Sequence, residues 1–315
     1  MGKRMQGHFT TDWHMHSRNS CDCRGGPLAT TMAETVAAVR AAGVTDFGVT
    51  DHLHTPFNLP DIVASRREFD TLPPSPRMHF GIEVSCVSAW ELAEIAGGGH
   101  ANPVYGLRSG GPAGGEMAIG IGAEEIVRFG IEYVVGGTHW PLYVPLEREA
   151  VIRDYHRQNM FLACHPLVTI VAHPWWWMGH WQDPDGAYRT DPWFDDFGKI
   201  PSAMHDEFAA AAREHGKIVE ANVHALLLNR RYPEAFRRRY CDYLAGLKAA
   251  GVTLSAGSDH HAQHSHYGDA AAADNPADWQ REPFHFGMAL EMLEAVGIRD
   301  DALWRLPPRR PDVTG

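Results

Sequence analysis

The sequence predicts an α/β fold in which seven parallel strands form a closed or nearly closed barrel with helices outside it. Three observations lead there. Short apolar runs of strand character alternate with helical stretches along the whole chain, and nothing interrupts the alternation. A histidine, aspartate or glutamate stands at or beside the C-terminal end of each of those strands, where barrels gather their functional groups. The length, 315 residues, suits one barrel with insertions. No internal repeat, linker or second core is visible, so residues 1–315 read as a single domain.

Taken in order, the first strand ends in Asp12-Trp13-His14-Met15-His16-Ser17. Residues two apart on a strand point to the same side, so His14 and His16 can present ring nitrogens to one point. A Cys/Gly-rich loop follows. Thr31-Met32-Ala33-Glu34 has the capping-box pattern and opens a helix that Gly43 stops. The second strand, Asp46 to Thr50, runs into Asp51-His52. A short helix (Asp61 to Asp70) and a Pro-rich turn lead to the third strand, Met78 to Val84, which carries Glu83. Residues 97–115 hold eight glycines and read as a loop insertion, either a lid or an unstructured segment.

A helix from Glu124 to Phe129 precedes the fourth strand, Glu132 to Gly137, which ends at Thr138-His139. The long helix Leu146 to Cys164 leads to the fifth strand, Leu167 to Ala172, and to His173-Pro174. An insertion at about 174–200 contains Trp175, Trp176, Trp177, Trp181 and Trp193. It either roofs the strand ends or packs as a satellite apolar cluster. Ser202 can cap the next helix. The sixth strand, Lys217 to Asn222, includes Glu220, and an Arg-rich stretch follows it. Pro233 stands at the favoured first position of a helix that Gly251 ends. The seventh strand, Val252 to Ala256, runs into Gly257-Ser258-Asp259-His260-His261, and a last helix spans about Phe284 to Val296.

Composition narrows the chemistry. Net charge is −11, which argues against a nucleic-acid backbone as partner. The five cysteines (Cys21, Cys23, Cys86, Cys164, Cys241) have no disulfide-framework spacing, and no signal-peptide core or membrane span is present. A reducing, cytoplasmic setting is expected. Histidine is frequent at 20 residues, and many of these histidines fall at strand ends. Together with Glu83, Glu220 and Asp259 they make a metal centre the expected feature. Mixed histidine and carboxylate ligation suits zinc, manganese or iron better than calcium. The set exceeds what one ion can use, so two or three ions are expected, with Glu83 as the bridging carboxylate.

The order of motifs resembles that of the PHP (polymerase and histidinol phosphatase) phosphoesterases. The matching residues are Asp12-x-His14-x-His16-Ser17, Thr50-Asp51-His52, Gly81-Ile82-Glu83, Thr138-His139-Trp140, Ala172-His173-Pro174, Glu220-Ala221-Asn222 and Gly257-Ser258-Asp259-x-His261. The resemblance implies a distorted, TIM-like (β/α)7 barrel with insertions at the C-terminal strand ends and a trinuclear metal site. It puts His14, His16, Glu83 and Asp259 on one metal, and Glu83, His139 and His173 on a second. The third takes His52, His261 and, by loop spacing alone, Asp22. Asp51 and Asn222 stand behind the ligands, where they can fix an imidazole's tautomer, and Glu220 takes either role. Some PHP domains in polymerase assemblies have lost their metals and serve as structural modules; the full ligand set here argues for the enzyme.

The expected reaction is phosphate ester hydrolysis by a hydroxide bridging the metals, held by Glu83, His14 and Asp259. The expected substrate is a small organic phosphate, histidinol phosphate or an aromatic or nucleotide phosphate, the last including a phosphodiester. The chain departs from the histidinol phosphatases after the sixth strand, where a leucine replaces the arginine of a Gly-Leu-Arg element. Arg230 and Arg231 are the nearest substitutes for a phosphate clamp, and Arg18 and Arg108 are further candidates. His224 and Trp175 complete the substrate-side candidates. The rival is an amidohydrolase-type barrel acting on a non-phosphate substrate. It would often bridge two metals by a carboxylated lysine, and no strand here ends in lysine.

Overall fold

The computed structural model describes residues 8–23, 30–107, 109–177, 196–229, 232–261 and 287–309. Seven parallel strands form the barrel: β1 (Thr11–Asp12), β2 (Asp46–Val49), β3 (Met78–Ser85), β4 (Tyr133–Gly137), β5 (Ile170–Ala172), β6 (Ile218–Asn222) and β7 (Thr253–Gly257). Neighbours in the sheet are neighbours in sequence. Across the gap between β7 and β1, Trp13 N–H donates to Ala256 O (3.0 Å) and Ser258 N–H to Asp12 Oδ1 (2.9 Å), nearly closing the ring.

Eight α-helices alternate with or follow these strands among the described residues: α1 (Met32–Ala41), α2 (Leu59–Phe69), α3 (Ala89–Gly97), α4 (Ala123–Arg128), α5 (Arg148–Cys164), α6 (Ser202–Glu214), α7 (Glu234–Ala249) and α8 (Gly287–Ala295). None is long and apolar enough to cross a membrane. The Thr31 capping box forms as expected. Ser202 is instead the first residue of α6 and Pro233 lies one residue outside α7, shifts of one position at frayed boundaries. No disulfide joins any of the five cysteines.

Alternation along each strand separates two apolar regions. Val134, Val171 and Val219 join the large core under the helices. Tyr133, Val135, Ile170, Ala172 and Ile218 face the barrel interior together with Trp13. At the N-terminal end of the barrel Tyr133 O–H donates to Trp13 O (2.9 Å), and its ring occupies the space over Gly48 and Gly81. A Cβ on Gly48 would lie 2.0 Å from that hydroxyl, so the close approach requires glycine. Trp304 packs on Trp13 at 5.1 Å, and its carbonyl accepts from Trp13 Nε1, so the C-terminal segment stoppers this end.

Glu132 ties the same segment down. Burial would raise its carboxyl, but hydrogen bonds from His79, Arg309 and the Phe80 amide pull it to about 2. The folded value lies below the ordinary 4.5, so its stabilisation is complete above that pH and is lost as pH falls toward 2. Glu132→Gln is therefore expected to lower the urea midpoint at pH 7 and to narrow the gap between pH 7 and pH 3. An unchanged gap would show that other groups carry the acid sensitivity.

Two features depart from a regular strand-loop-helix reading. The first strand breaks after Asp12 and resumes as Met15–His16, which pairs in parallel with His260–His261 above the barrel. The second strand likewise resumes as His52–Leu53, setting His52 opposite Glu83. Helix α3 and the antiparallel pair Val87–Ser88 with Met117–Ala118 frame the Gly-rich insertion.

Candidate metal centre

Strand ends bring the sequence candidates to one buried cluster centred on Glu83, which is fully enclosed on β3. Its Oε1 lies 3.1 Å from His139 Nε2 and 3.0 Å from His173 Nε2. Its Oε2 lies 3.0 Å from His14 Nε2, 3.4 Å from His16 Nε2 and 2.8 Å from His52 Nδ1. Asp259 Oδ1 approaches His14 and His16 at 3.5 and 3.3 Å. Asp22 Oδ2 meets His52 Nε2 at 3.2 Å and His261 Nε2 at 2.8 Å. Nitrogen and oxygen atoms thus converge in three places: His14, His16 and Asp259; Glu83, His139 and His173; and His16, Asp22, His52 and His261. A fourth grouping joins His52 and His139 to His54.

The donor set fits transition-metal ions. Two ligands on one tetrahedral ion, at bonds of about 2.0–2.1 Å, stand about 3.3–3.4 Å apart, close to the spacings here. His16 Nδ1, His52 Nδ1, Glu83 Oε2, His139 Nε2 and His173 Nδ1 are buried with no hydrogen-bond partner, so the cluster does not satisfy itself. Burial disfavours every charge in it. At His14 that effect is outweighed by the Glu220, Glu83 and Asp259 carboxylates, and at His52 by Asp22 and Glu83, so both imidazoles are raised. At His16 and His139 burial wins, and His139 falls to about 4. Despite their own burial, Glu83, Asp22 and Asp259 are held well below the usual carboxylate range by the facing histidines. Divalent cations would supply the positive charge these carboxylates draw from the rings.

Glu220 stands behind the converging atoms. Its Oε1 accepts from His14 Nδ1 (2.7 Å), which leaves His14 Nε2 facing inward; its Oε2 accepts from the His173 amide (2.8 Å) and Asn222 Nδ2 (2.9 Å). Asn222 Nδ2 also reaches Asp259 Oδ2 at 3.3 Å. Asp51 supports the loop instead of an imidazole: it accepts from the Ser17 amide and hydroxyl at 2.5 and 2.6 Å. His173 (φ +28°) and Asp259 (φ +54°) both occupy the left-handed region, where strain clusters at functional sites. Glu220→Gln would turn its amide N–H toward at least one N–H donor, whichever way the amide is set. Metal affinity is expected to fall about 10–100-fold with the far-ultraviolet circular dichroism unchanged. Competition against a fluorescent chelator would measure it, and wild-type affinity would remove Glu220 from this role.

The substrate-side candidates fare differently. Arg18 is 45% exposed and pairs with Glu68 of α2 (3.1 Å), a carboxylate that also holds Asn19 and the Met32 amide, so it turns away from the ligands. Trp175 is fully buried against His156 and His205. The backbone is left-handed at His173 and Trp175, and it is Trp176 that packs beside the converging rings, 4.8 Å from the His173 ring. His224 is buried beside the third convergence, donating from Nδ1 to Asp259 O (3.0 Å). Arg108, Arg230, Arg231, Trp181 and Trp193 lie outside the described residues. Lys217 caps the His165 and Val168 carbonyls just before β6, at the opposite end of the strand from the ligands.

Two polar residues escaped the sequence reading. His54 stacks on His52 (4.4 Å), and its Nδ1 is 2.6 Å from Ser85 Oγ; burial and the neighbouring His52 and His139 push it well below the ordinary histidine value. Ser85 Oγ is also 2.8 Å from His139 Nδ1. The signal was present in His52-Leu53-His54, the same alternation as His14-Met15-His16.

No protein-family model matches the chain, and no curated protein matches it. Among solved structures it is similar to the histidinol phosphate phosphatase of Lactococcus lactis subsp. lactis, crystallised with zinc, L-histidinol and phosphate. Identity is 17%, the TM-score is 0.56, and the match covers 92% of this chain and 94% of that one. The likeness is one of fold. A mutant organophosphorus hydrolase from Deinococcus radiodurans aligns more loosely, at 15% identity and a TM-score of 0.42, over 94% of this chain and 89% of that one. The A. niger ochratoxinase aligns at 14% and 0.37, over 90% and 69%.

Proposed function

We propose that this chain is a PHP-type metal-dependent phosphoesterase that hydrolyses a small organic phosphate monoester, with histidinol phosphate the first substrate to test. The observation that carries the reading is the buried Glu83 carboxylate facing five imidazoles, its two oxygens divided between ligand groups. His14, His16, Glu83 and Asp259 would hold one ion, Glu83, His139 and His173 a second, and Asp22, His52 and His261 a third. Bound there, divalent ions lower the pKa of a coordinated water and neutralise charge on a phosphoryl group.

The chain's own residues prepare that chemistry. Glu220 keeps His14 in the tautomer with Nε2 free, and Asn222 steadies Asp259. Trp176 and Trp140 line the ligand rings on one side and exclude water there. Arg230 and Arg231 remain the candidates for clamping the phosphate. The fold likeness to an enzyme crystallised with phosphate and zinc supports the reading.

A panel of phosphomonoesters and diesters assayed with metal-replete protein tests it. Turnover of a small monoester is expected, abolished by chelation, restored by zinc, manganese or iron, and weakened in Arg230→Ala or Arg231→Ala. No turnover of any phosphate ester would overturn the reading and point to a non-phosphate hydrolysis of the amidohydrolase type.

A further inference from the structure

We propose that His54 is not a metal ligand but an N–H donor to the bound substrate, its proton held on Nε2 by Ser85. Ser85 lies two residues beyond Glu83 on β3 and is fully buried. Among the described residues its hydroxyl meets two polar atoms, His54 Nδ1 at 2.6 Å and His139 Nδ1 at 2.8 Å. A hydroxyl carries one proton. Buried, it must give that proton to one of these nitrogens and accept an N–H from the other, or leave a donor unsatisfied.

His139 decides which. Its Nε2 faces Glu83 Oε1 and groups with His173, and a ligating Nε2 puts the ring proton on Nδ1. His139 therefore donates to Ser85, Ser85 donates to His54 Nδ1, and the His54 proton resides on Nε2. A protonated nitrogen has no lone pair for a metal. The grouping of His54 with His52 and His139 is thus a donor beside the ions and not a further ligand. The ring is fixed there by stacking on His52 and by contacts with Tyr105 at 5.1 Å and Trp140 at 5.4 Å. Nε2 makes no hydrogen bond to any described residue, so its N–H is available to an anionic acceptor. That this acceptor is a phosphoryl oxygen rests on the phosphoesterase reading; the tautomer rests only on His139 holding an ion through Nε2.

Zinc-loaded protein labelled with ¹⁵N-histidine tests both parts. Ring ¹⁵N–¹H correlation separates the two neutral tautomers, and the His54 signal is identified by its loss in His54→Gln. An Nε2–H form is expected in the wild type and a mixture in Ser85→Ala. Calorimetric binding of inorganic phosphate is expected to weaken at least about ten-fold in His54→Leu and to stay within about three-fold in His54→Gln, whose amide N–H reaches the same place. A His54 ring protonated on Nδ1, or equal phosphate affinity in His54→Leu, would overturn the proposal. An Nε2–H ring in protein that neither binds phosphate nor turns over any ester would sustain the donor and overturn the phosphoesterase reading alone.

Discussion

Glu83→Gln is expected to release at least one metal ion and to lower turnover at least about 10³-fold, more than the loss of a single oxyanion donor usually costs. Both carboxylate oxygens are in use: Oε1 faces His139 and His173, and Oε2 faces His14, His16 and His52. A glutamine supplies one oxygen and turns an N–H toward imidazole nitrogens that need a cation. The barrel strands do not depend on this side chain, so circular dichroism should be preserved. His14→Ala and Asp259→Asn should behave alike. Elemental analysis beside the assay reads the result, and a variant with normal metal content and near-normal turnover would remove Glu83 from the centre.

Gly137→Ala should be nearly as damaging without altering any polar group. A Cβ there would stand 2.6 Å from His139 Cε1, 2.8 Å from Glu83 Oε1 and 2.9 Å from His173 Cε1, so the second ligand group must open. Displacements of this size cost about 10²-fold in rate when they reach a reacting geometry. Metal affinity and turnover are both expected to fall by at least that factor. Gly136→Ala is the control. Its Cβ points outward, 3.0 Å from Leu162 and 3.1 Å from Val168, and should cost about 1–3 kcal/mol of stability by overpacking. Turnover per folded molecule should survive. Equal losses in both variants would mean that Gly137 matters for folding and not for the ligands.

The barrel and the side chains that converge at its end were legible because each strand combines an apolar run with one chemically distinctive end residue. His14, His52, Glu83, His139, His173 and Asp259 all stand there. What failed was direction. The backbone is left-handed at His173 and Trp175, Trp176 and not Trp175 packs beside the converging rings, and no pattern of residue types announces a positive φ. Arg18 was a further candidate for the phosphate, but Glu68, 50 residues away, holds it. Five consecutive buried residues, Val223–Leu227, form a π-helical turn beside the site. A short apolar run has no period that separates such a turn from a strand. Ser85 was invisible because a serine on a strand signals nothing until the rings on both sides are known.

The near-closure of the barrel joins Asp12 to Ser258, 246 residues later in the chain. At ordinary translation rates of about 5–20 residues per second, roughly 12–50 s separate the synthesis of these two positions. Throughout that interval His14, His16, His52, Glu83, His139 and His173 emerge in turn without Asp259 and His261 to complete their grouping. A growing chain can bind cations at these histidines only in incomplete, exchangeable arrangements. The full set of converging side chains therefore exists only once Asp259 and His261 have been made and the barrel has closed around them, and any selection among ions would fall to that closed form.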